Sequence, residues 1–186
     1  MVQCVGSRDK STHIYCSKIC CAVALKNARS ILQKNPDTEI TICYKDIRLA
    51  GKDYEHYYVD CQNMGVNFIN GDVLEVKEDP ETKMLKLKVK PKYGEEVELE
   101  ADLVVLTCAL VPAKGMEEFA RTLNLSLSPD GFFMELHPKL APVDTNVDGI
   151  YICGVCVVEC PARAIQLRHY KDDQIFAAVS GVLKEV

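Results

Sequence analysis

The sequence predicts an α/β domain: a parallel sheet with a three-stranded antiparallel meander attached to it. Three observations predict this class. Residues 1–5 and 39–44 are apolar or β-branched runs separated by a long segment of helical character, which is a strand–helix–strand unit. Residues 72–77, 84–89 and 96–100 are short strand-like runs, parted by the turn formers Asp79-Pro80-Glu81 and Lys92-Tyr93-Gly94. Residues 103–107 form an unbroken apolar run, the mark of a strand buried on both faces.

Taken in order, residues 1–5 give the first strand and residues 6–12 a loop. A helix is expected over 15–33, with Ile19, Val23, Ile31 and Leu32 among its apolar positions, and Asn35-Pro36-Asp37 ends it. The β-branched run EITICY, residues 39–44, is the second strand, so a right-handed crossover joins two parallel neighbours. A Tyr-rich helix over 53–64 is closed by Gly65, and 66–69 is a short strand ahead of the meander. Val111-Pro112 opens a connection, 115–123 a helix, 130–134 a turn and strand, and 138–142 a loop. The arrangement is Rossmann-like. Its first turn nevertheless reads Cys-Val-Gly-Ser-Arg-Asp and lacks the G-x-G-x-x-G that admits a pyrophosphate, so nicotinamide binding there is not expected.

Composition narrows the function. Of 186 residues, 48% are hydrophobic and 26% charged, as in ordinary globular proteins. The net charge of −5, without a basic block, argues against nucleic acid as a partner. No apolar run approaches the roughly 18 residues that span a membrane. The N-terminus has no signal-peptide pattern, so a cytoplasmic location is expected, with thiols reduced or used as ligands. No G-x-S-x-G, H-E-x-x-H or P-loop occurs, and the four histidines are dispersed; His13, inside the cysteine loop, is read as a solvated loop residue, with orientation of a bound centre as the alternative.

Ten cysteines remain to be explained. Cys4, Cys16, Cys20 and Cys21 follow the spacing C-x11-C-x3-CC. With Cys16 and Cys20 on one helix face, Cys21 about 100° further round and Cys4 at a strand end, the four can converge at a helix N-terminus. Its partial positive charge favours thiolates. Four converging thiolates suit an iron–sulfur cluster or a zinc ion, against the alternative of inert or redox-active thiols. A second group, Cys153, Cys156 and Cys160 before Pro161, has the spacing C-x2-C-x3-C-P. It is the last part of a bacterial ferredoxin run, whose first cysteine would fall at Ile150. It can serve a second cluster completed from elsewhere or a three-iron cluster, a Cys-x-x-Cys redox pair, or no ligand at all. Cys43, Cys61 and Cys108 are read as core residues.

The run VQCVGSRD…YCSKICCAVALKNA resembles the flavin-containing A subunit of heterodisulfide reductase and its relatives in electron-transfer complexes. The resemblance implies a [4Fe-4S] site ligated by Cys4, Cys16, Cys20 and Cys21, oxidoreductase activity within a multi-subunit complex, and a link to methanogenesis. The element order, and the phrase Ala101-Asp102-Leu103-Val104-Val105, resemble the pyridine-nucleotide domain of thioredoxin-reductase-like flavoproteins. Asp144 to Gly154 resembles the closing segment of those flavoproteins, with Val155 where an Asp is usual. That resemblance extends a flavin (FAD) contact to Gly149 and Gly154; a surface hairpin strand is the alternative. The implied organisation is a Rossmann-like domain over 1–110, the flavoprotein closing segment over 111–154, and a ferredoxin-like remnant with a C-terminal helix over 155–186.

The amino-terminal FAD fingerprint of the family is absent from this sequence, so the flavin is expected to be shared with a partner chain or a missing segment, or to be absent from this fragment. The expected function is electron transfer between a flavin and iron–sulfur centres, the chemistry belonging to cofactors and not to a protein base or nucleophile. Arg8, Lys10 and Lys18 would raise the centre's potential by favouring its more negative reduced state. The alternatives are a non-redox, metal-stabilised interaction module and a thiol–disulfide oxidoreductase using Cys153 and Cys156.

Overall fold

The computed structural model describes residues 1–49 and 53–152. They fall into two compact units, divided between Val111 and Pro112. In the first, β1 (Val2–Val5), α1 (Cys20–Lys34), β2 (Thr41–Tyr44), α2 (Tyr54–Asn63), β3 (Asn67–Glu78), β4 (Leu85–Pro91), β5 (Val97–Ala101) and β6 (Leu106–Cys108) follow one another. The sheet order is β5-β4-β3-β2-β1-β6. β1 lies parallel to both β2 and β6, and β2 parallel to β3; β3–β4 and β4–β5 are antiparallel. This is a Rossmann-like α/β fold with an attached meander.

α1 forms because Cys21, Ala24, Leu25, Ala28 and Leu32 recur at helical spacing and are buried together. They pack with Ile40, Ile42, Cys61 and Val66 into one core, so α1 and α2 cover one face of the parallel strands. The Cys61 thiol, fully buried, donates to the Leu25 carbonyl at 3.6 Å and ties the two helices. On β2 the side chains alternate. Ile42 enters that core, and Cys43 enters a second one with Leu87 and Val89, against which Val2, Val73 and Leu99 pack. The meander therefore covers the face that the helices leave.

Four expectations for this unit change. α1 begins at Cys20 and not near residue 15, because Lys18 adopts a left-handed φ of 65° and breaks helical continuity. Residues 66–69 and 72–77 are not two strands but one, β3, which passes from parallel pairing with β2 to antiparallel pairing with β4. Gly71 sits at the changeover, where a Cβ would lie 2.5 Å from the Lys90 carbonyl oxygen. The apolar run 103–107 is not buried on both faces: it feeds β6, a three-residue strand at the sheet edge, and Leu103 is 74% exposed and Leu106 53%. Cys108 is accordingly exposed and not a core residue, whereas Cys43 and Cys61 are buried.

The second unit contains α3 (Met116–Thr122), preceded by Gly115 with φ 87°. Residues 130–134 make a turn and a single bridge, Leu127 to Phe133, in place of a strand. Ala120 and Leu125 are buried, and the Phe119 and Phe133 rings lie 6.1 Å apart.

Candidate metal centre

The site begins with an irregularity in β1. Val2 pairs with Leu106 and Val5 with Cys108, so three steps on β1 oppose two on β6. One residue is extra, which makes a β-bulge, and Cys4 takes the left-handed φ of 61° that such a bulge uses. The effect is to re-aim a side chain at the carboxyl end of a parallel strand, the end at which α/β sheets bind ligands.

From there the chain turns tightly. The Ser7 amide donates to the Cys4 carbonyl at 3.1 Å, with Gly6 at φ 73° supplying the left-handed position of a type II turn. Arg8 and Asp9 amides donate to the Tyr15 and His13 carbonyls, both at 3.0 Å, which closes the loop on itself. The Asp9 carboxylate accepts from both the amide and the hydroxyl of Ser11 at 2.7 Å. His13 is half-buried and stacks on Tyr15. The loop is pinned to the chain after β6 by Leu110, whose amide donates to Ser17 Oγ at 2.9 Å.

Cys16 lies ahead of α1, so the one-face helical pairing of Cys16 with Cys20 does not occur. The turn at Lys18 substitutes for it: the Lys18 amide donates to Cys16 Sγ at 3.3 Å, and the Ile19 amide to the Ser17 carbonyl at 2.8 Å. Cys20 and Cys21 then open α1, whose first turn has no side-chain cap and no acidic residue. Its free amides and dipole leave positive potential at the two sulfurs. Burial pushes the Cys20 thiol up, as do the charges of Cys16 and Cys4, against a lowering hydrogen bond from Ser17. Burial also pushes Cys21 up, opposed by the Arg48 amide and reinforced by Cys4, Cys16 and Cys20. All four sulfurs are thus electrostatic neighbours.

They are not gathered to coordination distance: among the described residues, no three or more His, Cys, Asp or Glu side chains form a metal-holding group. The donor set is four thiols with amide donors to two of them, which fits an iron–sulfur or zinc centre chemically.

A segment to which the sequence pattern assigns no role completes the surroundings. Asp46, just past β2, forms an ion pair with Arg8, including a contact to Nη2 at 3.2 Å. It also accepts from Arg48 Nε at 3.2 Å. The Arg48 amide donates to Cys21 Sγ at 3.5 Å, and the Cys21 thiol lies 3.8 Å from the Asp46 carbonyl. Burial disfavours the Arg8 charge, but Asp46 and then Cys4 outweigh it, so the guanidinium is held above its ordinary value. Burial works against the Asp46 carboxylate too, and the two arginines hold it below the usual range. The signal that could have revealed this segment was position: Lys45-Asp46-Ile47-Arg48 leaves a parallel strand beside the cysteine turn.

Comparison with known proteins gives these residues a context. The chain is 57% identical over 157 residues to the iron-sulfur A subunit of CoB–CoM heterodisulfide reductase from Methanocaldococcus jannaschii, a match covering 83% of this chain and 24% of that protein. The chain is related to the A subunit of heterodisulfide reductase. It is 50% identical over 157 residues to the A subunit of the ferredoxin:CoB–CoM heterodisulfide reductase from Methanosarcina acetivorans, covering 83% of this chain and 19% of that protein. Against a protein of Archaeoglobus profundus named as similar to the heterodisulfide reductase A subunit, it is 44% identical over 153 residues, covering 82% of this chain and 22% of that protein. The chain thus spans about a quarter of the length of the curated relatives it matches. No family model matches it.

The remaining residues singled out in the sequence separate into two sets. Gly149, at φ 82°, stands in a turn closed by the Ile150 amide donating to the Val147 carbonyl at 3.2 Å. The buried Thr145 hydroxyl braces that turn at the Val147 and Ile150 carbonyls, and an antiparallel Asp144–Tyr151 bridge flanks it. Cys153, Gly154, Cys156 and Cys160, with the arm and helix expected over 155–186, lie outside the described residues. Among the described residues no helix is long and apolar enough to cross a membrane.

Proposed function

We propose that this chain holds a [4Fe-4S] centre on Cys4, Cys16, Cys20 and Cys21. In this reading it passes single electrons between a flavin and further iron–sulfur centres of a heterodisulfide-reductase-type complex. The observation that carries the reading is the placement of Cys4 at a strand bulge, Cys16 in the loop that follows and Cys20 and Cys21 at the start of α1, with backbone amides donating to the Cys16 and Cys21 sulfurs. The name of the Methanocaldococcus jannaschii relative, which calls it an iron-sulfur protein of the reductase, agrees with it. Such a centre would supply one-electron transfer.

The chain's own residues have three tasks. The thiolates of Cys4, Cys16, Cys20 and Cys21 are the ligands. The Lys18 and Arg48 amides donate to Cys16 and Cys21, lowering the electron density on those sulfurs. Arg8, with Lys10 and Lys18 in the same loop, adds positive charge that favours the reduced state. FAD, a second cluster at Cys153, Cys156 and Cys160, partner subunits, an organisation into 1–110, 111–154 and 155–186, and cytoplasmic residence belong to the same proposal.

The test is anaerobic iron and sulfide analysis, with flavin extraction on the same sample. The expected protein is brown, carries four iron and four sulfide per site ([4Fe-4S] stoichiometry, about 4 of each), and bleaches with dithionite. A Cys16→Ser change is expected to lose that colour. A colourless protein with stoichiometric zinc would instead establish a non-redox module.

A further inference from the structure

We propose that Asp46 is a positioning residue that holds the Arg8 guanidinium beside Cys4 and the Arg48 amide beside Cys21. The connection after β2 would thereby set the charge felt at the cysteine group. The inference rests on the iron–sulfur reading above and deepens it.

Asp46 touches both arms of the site. Its carboxylate binds Arg8 and Arg48 Nε, while its own carbonyl faces the Cys21 thiol. Arg8 stands in the tight turn that Cys4 opens, where the Ser7 amide donates to the Cys4 carbonyl at 3.1 Å. Lys45 steadies the far side: its Nζ donates to the Arg8 carbonyl at 3.4 Å and pairs with Asp72 at 3.5 Å. Asp9, the other acid of the loop, is engaged with Ser11. A carboxylate this close to a redox centre would, acting by its charge alone, lower the centre's potential. As the holder of a cation it does the reverse.

The sign separates the two roles. In the full chain, purified without oxygen and with its native cofactors, midpoint potentials are measured for Arg8→Gln, Asp46→Asn, Asp46→Glu and the Arg8→Gln/Asp46→Asn pair. Arg8→Gln and Asp46→Asn are each expected to disfavour reduction, by about tenfold or ~59 mV for one electron. Asp46→Glu is expected to return toward the parent value, and Asp46→Asn to lose its downward effect once Arg8 is gone. A rise on Asp46→Asn alone, the response of a bystander carboxylate, overturns the proposal.

A second arm uses the metal-free protein, in which iodoacetamide labelling at Cys4 is mapped against the exposed Cys108. Asp46→Asn should slow Cys4 labelling as Arg8→Gln does, and equal rates overturn the placement. Should the parent protein carry no iron, the iron–sulfur reading fails by itself, while the labelling arm still decides what Asp46 holds.

Discussion

The hydroxyl of Tyr15 donates to the carbonyl of Leu110 at 2.8 Å, joining the cysteine loop to the segment after β6 across 95 residues of sequence. The bond is exposed, so its worth is that of an ordinary hydrogen bond, about 0.5–1.5 kcal/mol. Tyr15→Phe is expected to lower unfolding stability within that range. Amide exchange should quicken over residues 6–19 more than in α1, and a uniform quickening would show the tether to be unimportant locally.

Leu25 has no exposure and lies at the centre of the helix-side core. Leu25→Ala removes methylenes and leaves a void, for a loss of about 2–5 kcal/mol. Val23, on the same helix but 42% exposed, offers the control. Val23→Ala should stay near ~0.5 kcal/mol or below. Urea titration of the two variants makes the comparison, and similar midpoints would contradict the burial pattern.

Gly71 is required by contact and not by backbone angle. An added Cβ would meet the Lys90 carbonyl and Pro91 Cα at 2.5 and 2.7 Å, both main-chain atoms that cannot rotate away. Gly71→Ala should therefore cost about 1–3 kcal/mol through displaced backbone. The cost should appear as weakened protection of β3 and β4 amides, with α1 protection kept.

Burial pushes the Cys61 thiol up, with Asp60 adding to the rise and Arg29 opposing it. The unfolded chain releases this proton at about pH 8.5, while the native state keeps it. Below that pH both states are protonated and nothing is lost; above it the unfolded state gains and stability falls. Cys61→Ala should flatten the decline measured by urea unfolding between about pH 7 and about pH 9.5. In the native protein iodoacetamide should label Cys108 and spare Cys61, since one is exposed and the other buried.

Much of the fold was legible because its signals are local. The β-branched run at residues 39–44, the periodic apolar face of α1 and the turn at Gly65 each announce their element within a few residues. The start of α1 was not legible, because Lys18 is an ordinary helix former that this loop bends into a left-handed conformation. The continuity of β3 was hidden because Gly71 reads as a strand breaker, though here it permits close passage of another backbone. Cys108 was misjudged because an apolar run has the same appearance in a central strand and in an edge strand. The spacing of Cys4, Cys16, Cys20 and Cys21 singles out the residues proposed as ligands. The pairing of Arg8 with Asp46 was not legible, since partners 38 residues apart leave no periodicity to read.

The extra residue in β1 also carries a lesson for anyone moving this turn into another scaffold. Side chains of a regular strand alternate sides with strict parity, and an insertion of one reverses that parity for all that follows. Grafted into a strand without this irregularity, Cys4 would emerge on the opposite side of its host sheet, away from the loop and helix that carry Cys16, Cys20 and Cys21.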